Sequence, residues 1–207
     1  MKTKLISFDA DSVLLNTEDI IFDIINKIYH KRLKTMDVTD WDFYMRNYPI
    51  VFEYFNNPEF YDNVKPVEGM VEVLTKTILK YGAQNIQIVT SSSNNMKIGK
   101  EKALSRIFGH IPYWNKINII HVGLKDDESS DIPHHKYEFS ENTILIDDAI
   151  HNIDDHLNYN HYNKGLLIDF NYGWNQNYSH SRMIRIKKPE QILVELNNLI
   201  NSEGRIL

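Results

Sequence analysis

The sequence predicts an α/β fold, a Rossmann-like parallel sheet flanked by helices, with a small helical cap inserted after the first strand. Three observations predict it. Short apolar runs alternate with segments whose apolar residues recur at helical spacing, which is the pattern of a parallel sheet covered on both faces. One stretch, residues 16–65, breaks that alternation with helices and aromatic residues but no strand. The chain has 207 residues, 42% of them hydrophobic, which suits one core carrying an inserted lobe. The boundaries read from the sequence are 1–15 and 66–207 for the core and 16–65 for the cap.

Taken in order, residues 5–8 form an apolar run ending in Asp9 and read as a buried strand. Residues 17–32 carry isoleucines at 20, 21, 24, 25 and 28, a helical spacing, and Thr17-Glu18-Asp19 suits a helix N-terminus. Residues 40–55 hold seven aromatic side chains, and Pro49 divides them into two short helices. Residues 66–81 read as an amphipathic helix closed by Gly82, and 85–90 as the second strand. A helix over 94–108 stops before Gly109. Further strands are predicted at 117–122, 142–146, 165–170 and 183–186, and Pro189 opens a last helix running to about residue 201. Residues 124–141 are polar, with Asp126-Asp127-Glu128 and His134-His135, and read as a long surface loop.

Composition excludes several classes. The net charge of −5 lacks the basic footprint of a protein that binds a nucleic-acid polymer. The chain has no cysteine, so disulfides and thiolate zinc sites are excluded. The apolar run at the N-terminus is too short for a signal peptide, and no stretch reaches the length of a membrane span, so a cytoplasmic protein with no membrane partner is expected.

Ligands of open parallel sheets bind outside the carboxyl ends of the strands. The predicted first strand delivers Asp9 and Asp11 there, the second Thr90 and Ser91, and the fourth Asp147 and Asp148. Four carboxylates converging at one edge repel one another. Either some stay protonated or a hard divalent cation offsets them, and Mg2+ fits such oxygen donors. The hydroxyls and helix-opening amides after residue 90 suit an anion.

These residues also carry a resemblance. Phe8-Asp9-Ala10-Asp11-Ser12-Val13-Leu14 resembles the first motif of the haloacid dehalogenase (HAD) superfamily, and Ile88-Val89-Thr90-Ser91 its second. Leu145-Ile146-Asp147-Asp148 with Asn152 is similar to its fourth motif, and Lys136 is placed like its third-motif lysine. A closer similarity is to the 5'(3')-deoxyribonucleotidases, in Pro58-Glu59-Phe60-Tyr61 followed by Pro66 to Leu74, in Gly99-Lys100-Glu101-Lys102, and in Gly165 to Phe170 followed by Trp174-Asn175. Those nucleotidases usually have glycine where Ser12 stands and proline where Ser92 stands.

The resemblance implies a HAD-like core and a Mg2+-dependent phosphomonoesterase acting through an aspartyl-phosphate. Asp9 would be the nucleophile and Asp11 the general acid and base. Thr90, Ser91 and Lys136 would bind phosphate, and Asn152 would orient the fourth motif. Mg2+ would be held by Asp9, the Asp11 backbone carbonyl and Asp148, with Asp147 in support. The partner is then a small nucleotide or another phosphate ester, within deoxyribonucleotide metabolism. Phe60, Tyr61, Trp41 and Phe43 are the candidates for a substrate pocket under the cap.

Three readings stay open at this level: a deoxyribonucleotidase, a HAD phosphatase of a sugar phosphate or other small ester, and a catalytically idle HAD-like binding protein. Lys125 is an alternative to Lys136 for the phosphate. His134 and His135 read as an exposed pair, since no third metal ligand is apparent. The sequence is compatible with a homodimer.

Overall fold

The computed structural model describes residues 6–40, 43–123, 135–139 and 143–201. Six strands form one parallel sheet: β1 (Ile6–Phe8), β2 (Ile86–Ser91), β3 (Asn118–Val122), β4 (Ile144–Asp147), β5 (Lys164–Ile168) and β6 (Met183–Ile186). Their order is β3-β2-β1-β4-β5-β6. The α/β class with a Rossmann-like sheet is therefore as predicted. β1 lies in the middle, and all three of its residues are fully buried, as a strand covered on both faces requires. The chain winds one way from β1 to β2 and β3, then returns to the other side of β1 for β4, β5 and β6. Between β1 and β4 the order reverses, and a crevice opens there at the carboxyl edge.

The helices are α1 (Thr17–Tyr29), α2 (Phe43–Asn47), α3 (Ile50–Phe55), α4 (Met70–Tyr81), α5 (Asn94–Phe108), α6 (Ile150–Tyr159) and α7 (Pro189–Asn201). Between β1 and α4 the described residues hold α1, α2, α3 and 3-10 turns at Thr35–Asp37 and Pro58–Tyr61, but no strand. Pro49 does divide two short helices, as its missing amide hydrogen demands. Two predicted helices are shorter than their apolar spacing suggests. α1 stops at Tyr29 because His30 turns left-handed at φ 54° and Asn26 captures the amide of Leu33 at 2.9 Å. α4 starts at Met70 and not at Pro66. Pro66 and Val67 are held out of the helix by the bridge of Pro66 to Leu15 and by the Val67 amide bonding to the Leu14 carbonyl, Glu68 turns, and Gly69 makes the bend at φ 78°.

A buried histidine under α6 gives the fold a pH dependence. His156 is fully buried, with Nε2 3.4 Å from the Thr143 carbonyl and Nδ1 3.3 Å from the Asn163 side-chain amide. One nitrogen donates and the other accepts, which is the neutral ring. Burial lowers its pKa to about 4. The unfolded chain takes up this proton near 6.5, and the fold resists it until about 4. The stability contributed by the neutral ring is therefore complete above the unfolded value and drains as pH falls through that window. The stability gap between wild type and His156→Gln narrows by up to about 3 kcal/mol from neutral pH to pH 4. Urea unfolding of both proteins across that range measures it, and a constant gap would refute it.

Candidate active site

Phe8 is in register with Ile146, and the Asp9 amide donates to the Ile146 carbonyl at 2.9 Å. Asp9 therefore leaves β1 level with the end of β4, where Asp147 and Asp148 follow. Asp9, Asp147 and Asp148 are all buried, and each offers an oxygen within 4.8 Å of the others. The predicted meeting of strand tips one and four is present in the structure.

Lys136 stands between two of these acids, its Nζ 2.8 Å from Asp9 Oδ2 and 2.8 Å from Asp147 Oδ2. It is carried on a 3-10 turn, Lys136–Phe139, which the Gln87 side chain of β2 fixes by donating to the Phe139 carbonyl at 2.7 Å. Burial pulls the lysine's pKa down, but Asp147 and Asp9 more than offset it and hold the ammonium charged. Lys125, the other candidate, lies outside the described residues.

The acids differ in what they have left to give. Asp147 accepts from the Ala149 amide at 2.9 Å, from Asn152 at 3.2 Å on both oxygens, and from Lys136. Asn152 thus secures the fourth-motif loop. Asp148 accepts from the Trp174 indole at 3.2 Å on Oδ2, while Asn175 holds its backbone carbonyl at 3.1 Å. Burial lifts Asp148 well above the usual carboxylate range, with Asp147 and Asp9 adding to the shift. Burial likewise raises Asp9; Lys136 offsets part of this, and Asp147 and Asp11 add to it. Three buried carboxyls with one lysine among them leave negative charge uncompensated. Their all-oxygen donor set fits a hard divalent cation.

Asp11 stands apart from that trio. Its Oδ2 is 2.5 Å from Lys100 Nζ, and its Oδ1 is buried without a hydrogen-bond partner among the described residues. Thr90, fully buried at the end of β2, and the Ser91 carbonyl accept from the same ammonium. Ser93 caps α5 by accepting from the Met96 amide. Strand tips one and two are thus joined through a lysine to which the sequence reading gave no role.

Glu18 is a second such residue. It is buried at the start of α1, accepts from the Tyr44 hydroxyl and, at 3.3 Å, from Ser12. Burial pushes its pKa up to about 7 against those hydrogen bonds. Ser12 adopts φ 56°, the left-handed backbone that the nucleotidases' usual glycine takes at no steric cost. Its carbonyl accepts from the Tyr172 hydroxyl at 2.6 Å, and the Tyr172 ring stacks on Trp174 at 4.4 Å.

The pocket candidates fall in different places. Tyr61 is buried, its hydroxyl has no hydrogen-bond partner among the described residues, and its phenol pKa is raised well above the ordinary value by burial, then by Asp11 and Asp9. Phe60 stacks on Phe55 at 4.6 Å and lines a cavity of about 670 Å3 with Phe22 and Tyr54, which touches neither Asp9 nor Asp11. Phe43 packs among Tyr44 and Tyr48. Trp41 and His134 lie outside the described residues, and His135 stacks on Tyr137 at 4.8 Å.

Comparison with known proteins bears on the fold and the family. No curated protein sequence matches the chain. Among solved structures, a HAD hydrolase of family IA, variant 3 from Entamoeba histolytica superposes with a TM-score of 0.54 at 14% identity, covering 95% of this chain and 99% of that one. A HAD phosphatase from Thermococcus onnurineus gives 0.52 at 13% identity, covering 93% and 97%. A predicted phosphoglycolate phosphatase from Haemophilus somnus gives 0.52 at 14%, covering 95% and 99%. At such identities these likenesses establish the HAD-like fold. The family model described as "5' nucleotidase, deoxy (Pyrimidine), cytosolic type C protein" matches residues 3–199. The chain therefore belongs to that deoxy 5'-nucleotidase family of the HAD superfamily, and it is a phosphomonoester hydrolase.

Proposed function

We propose that the protein is a Mg2+-dependent 5'(3')-deoxyribonucleotidase of the cytoplasm that removes phosphate from deoxyribonucleoside monophosphates through an aspartyl-phosphate. The observation that carries this reading is the meeting of Asp9 with Asp147, Asp148 and Lys136 at the edge between β1 and β4. Asp9 attacks phosphorus in line, and the bond to the ester oxygen breaks as the acyl phosphate forms. Asp11 gives its proton to the departing oxygen. It then takes a proton from the water that attacks phosphorus and frees Asp9. Lys136, held charged between Asp9 and Asp147, offsets the charge that builds on the phosphoryl oxygens, and Thr90 and Ser91 orient them.

Asp9, the Asp11 backbone carbonyl and Asp148 would hold Mg2+, with Asp147, whose oxygens are already engaged, in support. When bound, the ion supplies a Lewis acid that screens the approach of two anionic groups. Residues 16–65 act as a cap over the 1–15 and 66–207 core and exclude water. Asp11 and Asp9 add to the burial that raises the Tyr61 phenol, which supports a place for it near the leaving group.

A panel of phosphomonoesters assayed with Mg2+ and with chelator tests the reading. Deoxyribonucleoside monophosphates should exceed sugar phosphates by at least about tenfold in kcat/KM. Chelation should abolish turnover and Mg2+ restore it. Equal rates on nucleotides and sugar phosphates would discard the nucleotide as substrate, and turnover unaffected by chelation would discard the metal.

A further inference from the structure

Lys100 has no part in the mechanism above, yet it is fully buried and touches three of its components. Its Nζ lies 2.5 Å from Asp11 Oδ2 and 3.1 Å from Thr90 Oγ1, and it also donates to the Ser91 carbonyl. An ammonium has three hydrogens, so these three acceptors use its whole donor capacity. The Tyr61 ring closes its remaining side at 6.0 Å. Gly99 makes that approach possible: a Cβ there would meet the Pro58 carbonyl oxygen and Tyr61 Cδ2 at 2.6 Å each.

We infer that Lys100 is a positioning residue for proton transfer, pinning one oxygen of Asp11 to the phosphate-binding tip of β2 so that the other is presented to the leaving group. With Oδ2 held, Oδ1 is the carboxyl oxygen left for the ester, and it has no hydrogen-bond partner among the described residues. As the bond from phosphorus to the ester oxygen breaks, the proton on Oδ1 passes to that oxygen and Asp11 is left as a carboxylate facing the Lys100 ammonium. The next water returns a proton to the same atom. Lys100 touches neither phosphorus nor the ester oxygen in this scheme. It joins the acid to the phosphate cradle, so that both move as one unit relative to the ester.

The inference rests on Asp11 being the general acid, and the test separates the two ideas. The full chain with Mg2+ is assayed on thymidine 5'-monophosphate, an alkyl ester whose leaving oxygen needs protonation, and on p-nitrophenyl phosphate, whose leaving group departs unaided. In Lys100→Met, kcat on the alkyl ester should fall about 100-fold and on the aryl ester less than about fivefold, with KM on both nearly unchanged. Asp11→Asn should show the same selectivity. The double variant Asp11→Asn/Lys100→Met, which removes both charges together and so leaves neither buried alone, should be no slower than Asp11→Asn. A selective loss in Asp11→Asn with an equal loss on both esters in Lys100→Met overturns the inference and leaves the acid in place. A further large loss in the double variant overturns it as well. An equal loss on both esters in Asp11→Asn overturns the acid assignment, and the inference with it.

Discussion

Asp9→Asn should abolish turnover, by about 10,000-fold or more, while leaving the protein folded and at least as stable as wild type in metal-free buffer. The loss follows because an amide is no nucleophile toward phosphorus. The retained stability follows from the surroundings. Asp9 is buried beside Asp147 and Asp148, and its carboxyl is pushed toward the protonated state by that burial. A neutral side chain of the same shape removes a charge the interior disfavours. Its oxygen can still accept from the Ala10 amide, which bonds to Asp9 Oδ1 at 2.6 Å, and Lys136 keeps Asp147 as a partner. Thermal melts beside the phosphatase assay check both halves. Retained activity would end the covalent mechanism, and a large drop in Tm would show that Asp9 supports the fold.

Lys136→Met should have the opposite signature, a marked loss of stability. It removes the cation that, among the described residues, is bonded to both Asp9 and Asp147, and strands two buried carboxylates beside a third. Removing one partner of a buried ion pair costs about 3–5 kcal/mol. For a chain of this length that lowers Tm by about 10 °C. Mg2+ should recover part of the loss, because an ion that binds only the folded trio stabilises it by mass action. Turnover should fall by about 100-fold or more even with Mg2+ present, since the phosphoryl charge loses its counter-ion. Melts with and without Mg2+ decide it, and an unchanged Tm in chelator would show that the lysine does not hold the cluster together.

Much of this architecture is legible in the chain itself. The six strands lie where short apolar runs end in polar residues, and Lys136 stands at a spacing from Asp147 that a motif predicts. The residues that were missed share a signal. In α5 the buried positions are Met96, Gly99, Lys100, Ala103, Leu104, Ile107 and Phe108, a helical stripe with a lysine in it. In α1 they include Glu18, Ile21, Phe22 and Ile25, the same kind of stripe headed by a glutamate. Composition and capping explain Glu18 as a helix opener, so the stripe was overlooked. A charge on the buried face of an amphipathic helix must find a partner, and here the partners are Asp11, Ser12 and Tyr44. Other contacts have no local signal at all. The bond from Trp174 to Asp148, and that from Tyr172 to Ser12, join loops that meet only once the sheet is built. The non-helical path of Pro66 and Val67 is equally hidden, because a bridge to Leu15 overrides a helical pattern of apolar residues.

The central place of β1 also governs when the site comes into being. It leaves the ribosome before the other five strands of the sheet, yet Ile6 pairs with Ile86 on one side and Ile144 on the other. Such distant pairings close slowly, because a long stretch of chain must be brought together before they contribute. A nascent chain that stops short of Asp147 holds Asp9 but neither of the acids at the end of β4, and one that stops before Trp174 lacks the indole that bonds Asp148. Until then β1 is an apolar strand waiting for neighbours, which is the state in which a growing chain most needs protection from its own kind.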